Sequence, residues 1–254
     1  MELEGSASMS KGQAQDQEPP VEEKEMTILE HLEELRSRLI VMVLAIAVAT
    51  VVSVLVVNRV FAIMMGPMPA GIKPVFTEPT EAFTTYLKVA LFTGIVLAMP
   101  VIIYEVGAFI APGLTRKEKR TVLALVPGVF FAFICGLVFG YYVVVPFAVK
   151  YLLSAPFLTE FADPMIKISS YIEFIVGLLL AIGVSFELPI VIFFLSRIHL
   201  VTTKRLTKYR KYALLIAAVA AAIITPTPDP GTQMLVAVPL YFLYEIGILL
   251  SRIA

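Results

Sequence analysis

The chain has 254 residues, 20 Lys+Arg against 20 Asp+Glu, 59% apolar and 16% charged residues, and a mean hydropathy of +0.88. The apolar share lies above and the charged share below those of ordinary globular domains, which excludes a disordered chain, a collagen and a disulfide-rich secreted domain. The balanced charge gives no reason to expect nucleic acid as a partner, and the single cysteine, Cys135, inside an apolar run, cannot form an intramolecular disulfide.

Residues 1–25 are polar and of mixed charge. Such a composition cannot bury enough apolar surface to order itself, so a disordered tail is expected there. It lacks the basic start and apolar run of a signal peptide. Thr27, Ile28, Leu29 and Glu30 have the T-x-x-E spacing of a capping box. Ile28, Leu32, Leu35 and Leu39 then recur at helical spacing. This pattern predicts an N-terminal amphipathic helix lying on a membrane surface and running into a first span at 39–57. That stretch is free of charge and close to the ~20 residues needed to cross a bilayer.

Further apolar stretches place spans at 87–111, 122–145, 171–196, 212–225 and 232–250. The fifth has about 14 residues, roughly 21 Å of helix against a ~30 Å hydrocarbon core. The prolines at 226, 228 and 230 separate it from the sixth. The expected fold is therefore an all-α polytopic membrane protein, one domain over 26–252. It has six transmembrane helices, the fifth and sixth short, preceded by the amphipathic helix. No internal repeat is visible, which weakens the inverted-repeat transporter reading.

Fifteen Lys and Arg fall in the N-terminal segment, the second and fourth loops and the C-terminus. Only Arg59, Lys73, Lys88, Lys150 and Lys167 fall on the other side. The positive-inside rule then puts both termini in the cytoplasm. The 58–86 and 146–170 loops would face outward, and their Pro and aromatic residues suit caps over the spans.

His31 and His199 have no ligand-spaced partners, and no phosphate-loop, dinucleotide or hydrolase pattern occurs. No metal, no cofactor and no catalysis are expected. Acids in unusual places remain. Glu187 lies deep in span four, two residues before Pro189. Ionisable groups at such depth usually face protein or water; the plain alternative is a protonated side chain bonded to a neighbouring helix. Glu34 sits where it can pair with Arg38 at i,i+4, and Glu118 is the one acid in the basic stretch 115–120. Each alone reads as ordinary charge mixing. Together they place two carboxylates close to the membrane surface, where two guanidinium groups could pair with them. Glu105 and Glu245 read as helix-end acids with local partners, and Phe109 as a packing residue.

Several motifs, in order, resemble the TatC family, the multispanning component of the twin-arginine protein translocase. They are His31-Leu-Glu-Glu-Leu-Arg-Ser-Arg-Leu39, Phe109-Ile-Ala-Pro-Gly-Leu114 with the basic stretch after it, and Ser185-Phe-Glu-Leu-Pro189. The last group is Thr225-Pro…Asp229 with Pro239-Leu-Tyr and Tyr244-Glu-Ile-Gly247. The resemblance implies a concave six-span scaffold in a prokaryotic cytoplasmic membrane, with both termini cytoplasmic. It also implies a receptor for Arg-Arg signal peptides and export of folded proteins driven by the proton-motive force. By motif, Glu34 and Glu118 would bind the arginine pair, with Arg36, Arg38 and Phe109 supporting them, and Glu187 would be the polar group of the concave face. Implied partners are TatA- and TatB-type single-span subunits, the signal peptides of folded cargo, the lipid bilayer and further copies of the chain within the complex. A proton- or cation-coupled secondary transporter using Glu187 is the alternative.

Overall fold

The computed structural model describes residues 28–69, 71–153, 165–225 and 230–253, and the regular structure among these is helical apart from one isolated β-bridge. The tail 1–25, Thr27 of the expected capping box and the turn 226–229 lie outside the described residues.

The first helix, α1, runs unbroken over Ile28–Ser53. It contains no Gly or Pro, so the amphipathic segment continues in line into the span and does not form a separate surface helix. A short α2 (Val57–Met65) follows, then α3 (Glu81–Ile110). The third membrane unit is α4 (Arg116–Phe139) joined to α5 (Val145–Leu153) through one π-helical turn at Gly140–Val144. Pro146 has no N–H to give the carbonyl of Tyr142, and the ladder opens where that bond is lost.

The fourth unit is split into α6 (Ile168–Ser185) and α7 (Leu188–Arg197). Pro189 removes the bond to the Ser185 carbonyl, and the chain bridges the gap with tighter bonds, Glu187 N to Val184 O at 3.1 Å and Ile190 N to Glu187 O at 3.0 Å. After α8 (Thr203–Lys208) come α9 (Arg210–Ile224) and α10 (Pro230–Leu250). Among the described residues, five helical units are long and apolar enough to cross a membrane, and α10, with 21 residues, is the shortest of them. The 15 residues of α9 fall short of a full crossing, as the sequence predicts.

Helix α6 is the centre of the bundle. Its Ile172, Ile175, Leu178, Leu179 and Ile182 are buried together with Val89 of α3, Val144 and Val145, Ala221 of α9 and Val236 of α10. Large apolar side chains stand exposed around the outside, among them Val43, Leu44, Val48 and Val51 on α1 and Leu215, Ile216 and Ile223 on α9. In water this would be an aggregation surface; hydrocarbon is its fitting solvent, because a helix bonds most of its backbone groups internally.

At the end remote from the basic segments, polar bonds tie the loops into a cap. Val75 and Lys167 form a parallel bridge, with Val75 N to Ile166 O at 2.9 Å and Ile168 N to Val75 O at 3.2 Å. The buried Glu81 carboxylate accepts from Thr77 N (2.7 Å), Thr77 Oγ1 (3.1 Å) and Ser169 N (3.0 Å). Lys167 donates to Glu78 at 3.1 Å. That bond holds the Lys167 ammonium above its ordinary pKa, against the opposing effect of burial. Tyr141 and Tyr171 donate to the carbonyls of Ile63 and Met64 on α2.

Candidate functional site

The opposite end of the bundle carries the acids singled out in the sequence. His31, Glu34 and Arg38 are spaced three and four residues apart, which puts them on one face of α1; Glu105 and Phe109 are four apart, on one face of α3. The two helices run antiparallel in extensive contact, so these faces meet. The His31 ring stacks on Phe109, centroids 4.5 Å apart and planes 15° apart. Two turns along, Arg38 donates through Nε (2.9 Å) and Nη2 (2.6 Å) to Oε1 of Glu34, and through Nη1 (2.9 Å) to Oε2 of Glu105. The three side chains are 24%, 17% and 14% exposed, in the order Arg38, Glu34, Glu105.

The second oxygen of Glu34 is buried and has no hydrogen-bond partner among the described residues. His31 Nδ1 stands 3.9 Å from it, beyond bonding distance. Arg36 points away from this cluster in register and is exposed. The i,i+4 pairing of Glu34 with Arg38 was legible in the sequence. The part played by Glu105 was not, because only the α1–α3 register brings it to Arg38.

Glu118 stands at the third position of α4, where its Oε2 accepts from Thr115 N (2.7 Å) and Thr115 Oγ1 (2.8 Å) in a capping box. Its carboxylate therefore closes the first turn of α4, a local role beyond charge mixing in a loop. The signal was present in the sequence: Thr115 and Glu118 repeat the T-x-x-E spacing read at 27–30. His199, in left-handed backbone (φ 59°) just past α7, lies within electrostatic reach of Glu118. Glu34 and Glu118 are each engaged locally, and no described contact joins one to the other.

Between α3, α4 and α7 runs an apolar groove of about 440 Å³. Met99, Ile103, Val126, Val191 and Phe194 line it, and it extends from Glu187 to Gly113 and Leu200 at the basic end. Glu187 precedes the first turn of α7, and its Oε1 is buried with no partner among the described residues. No described residue gives it a hydrogen bond at that atom, and Glu187 is the one ionisable residue along an otherwise apolar groove. The sequence placed Glu187 at depth; the groove beside it emerges only from packing, since Gly107 lets α3 approach Val122 of α4 closely. Glu245, read as a helix-end acid, meets Arg210 of α9 at 2.6 Å and Tyr241 at 2.9 Å.

Residues 30–239 match the family model described as Sec-independent protein translocase protein (TatC). A protein of Carboxydothermus hydrogenoformans named Sec-independent protein translocase protein TatC is 39% identical over 91% of this chain and 95% of its own length. One of the same name from Desulforapulum autotrophicum is 44% identical, covering 91% of this chain and 86% of the relative. A crystal structure described as the twin arginine translocase receptor TatC superposes with a TM-score of 0.79 at 37% identity, over 88% of this chain and 99% of that one.

Proposed function

The chain belongs to the Sec-independent protein translocase (TatC) family, and from that premise we propose that it is the signal-peptide receptor and scaffold of a twin-arginine translocase. It lies in a prokaryotic cytoplasmic membrane with both termini inside, and the bundle over 26–252 works as one unit. Glu34 and Glu118 take the guanidinium groups of consecutive arginines at the cytoplasmic end. Arg38 holds the Glu34 carboxylate, Arg36 stands nearby on α1, and Phe109, stacked on His31, holds the α1 and α3 ends together.

The observation that carries this reading is that carboxylates stand at the starts of α1 and α4 in the end richest in Lys and Arg, a place for cationic ligands that simple charge steering would not choose. Glu187 offers an unmet acceptor in an apolar groove, which suits a polar side chain on a membrane helix of a TatA- or TatB-type subunit. The protein binds and positions its cargo and does no chemistry on it. The shared name of the relatives gives no support to a cation-coupled secondary transporter built on Glu187.

The test uses the purified full chain and synthetic signal peptides bearing Arg-Arg or Lys-Lys. The Arg-Arg peptide binds more tightly. Glu34→Ala and Glu118→Ala each weaken it by about 10- to 100-fold, the range expected for one charge-assisted hydrogen bond. If both variants bind like the unaltered protein, the receptor reading fails.

A further inference from the structure

We propose that Arg38 is the resident cation of the signal-peptide site, anchored on Glu105, and that an incoming arginine binds by taking Glu34 from it. The proposal rests on Glu34 being a signal-peptide contact, and it changes what that contact is: an exchange of one guanidinium for another at an occupied carboxylate.

Three observations carry it. Oxygen Oε1 of Glu34 already accepts two N–H groups of the Arg38 fork, at 2.9 and 2.6 Å. Oxygen Oε2 is buried. Neither is open to a ligand while Arg38 stays in place, so the site as it stands is closed by its own chain. Arg38 also has a second carboxylate to hold, since Nη1 reaches Glu105 Oε2 at 2.9 Å across the α1–α3 contact. Releasing Glu34 therefore leaves Arg38 anchored and part-buried, without a stranded charge.

The charge count favours the exchange. Glu34, Glu105 and Arg38 sum to one negative charge, and one added guanidinium brings the cluster to neutrality with one cation for each carboxylate. The exchange also selects. A guanidinium replaces the lost two-pronged contact with one of the same shape, whereas a lysine ammonium has no planar fork with which to do so. Arg38 thereby makes the site discriminate arginine from lysine, because a ligand must outbid an arginine to enter.

The experiment measures the affinity of the purified full chain for the Arg-Arg and Lys-Lys signal peptides in three variants. Arg38→Gln removes the competitor, so Arg-Arg affinity rises about tenfold, Lys-Lys affinity rises more, and the ratio between them narrows. Glu105→Gln removes the anchor and the spare negative charge, leaves Arg38 to Glu34 alone, and lowers Arg-Arg affinity. Arg38→Lys keeps the charge without the fork and narrows the ratio in the same direction as Arg38→Gln, which covers the case where Arg38→Gln does not fold. A merely structural bridge would make the Arg38→Gln and Glu105→Gln variants shift affinity in the same direction, and that result overturns the exchange. Unaltered protein that prefers Arg-Arg, with Arg38 variants that leave affinity and ratio unmoved, overturns the exchange alone. Unaltered protein that binds both peptides equally overturns the receptor reading and this proposal with it.

Discussion

Glu118 is asked to do two things at once, and its geometry allows them to be separated. Its Oε2 closes the first turn of α4 by accepting from the backbone and hydroxyl of Thr115, while the receptor reading needs the same carboxylate to meet a peptide guanidinium. Thr115→Ala removes the hydroxyl half of the cap and leaves the carboxylate in place. It should lower the thermal midpoint of the detergent-solubilised protein by about 2–4 °C and leave Arg-Arg peptide affinity unchanged. A loss of binding in Thr115→Ala as large as in Glu118→Ala would mean that Glu118 acts only by holding the helix start. At this scale the sequence singled out Glu187 by its depth in a span, and Glu34 and Glu118 only as two carboxylates together near the membrane surface. It carried the local partners but not the distant one. Glu34 with Arg38 follows from helical spacing alone, but Glu105 with Arg38 joins residues 67 positions apart, and no local rule pairs those.

Between helices, the α1–α3 contact sets the register on which that cluster depends. Ser53 Oγ donates to the Ala90 carbonyl at 2.7 Å, and one turn away Gly94 lies so close to α1 that a Cβ there would stand 2.2 Å from Thr50 Oγ1 and 2.7 Å from the Thr50 backbone. Small residues at a crossing are how membrane helices gain contact, since lipid is as apolar as a leucine face and gives no hydrophobic drive to associate. Because the clash is with backbone atoms, no change of rotamer relieves Gly94→Ala and the helices must part. The substitution should destabilise the protein by about 1–3 kcal/mol and weaken Arg-Arg binding through loss of the Arg38–Glu105 register. Gly177→Ala on α6, where a Cβ would meet nothing within 4 Å, is the matched control and should leave both unchanged; equal melting of the two variants would refute the close-packing account. The spans themselves were legible, since long apolar runs with few charges have few other uses. Their pairing was not legible: a helix apolar on all sides carries no stripe that points to its neighbour.

Across the whole molecule, the two ends are built for different work. At the end remote from the basic segments, the described parts of two loops are tied together by a buried Glu81 that gathers Thr77 and Ser169 and by the bridge between Val75 and Lys167. Neither connection follows from local sequence, because each joins loops separated by two membrane units. The other end carries Glu34, Glu105 and Glu118 on α1, α3 and α4, and the groove that reaches Glu187 runs between α3, α4 and α7. On the receptor reading proposed above, the arginine pair is held at the surface while the apolar part of a signal peptide enters between helices. The direct test is a signal peptide carrying a photoreactive group beside its Arg-Arg pair, added to membranes that contain the full chain, with the crosslinked residues mapped by mass spectrometry. The account predicts adducts within 31–38 and 105–118 that disappear when Lys-Lys replaces Arg-Arg. Adducts concentrated in the cap loops around 66–81 and 165–171, or the same adducts from the Lys-Lys peptide, would contradict it.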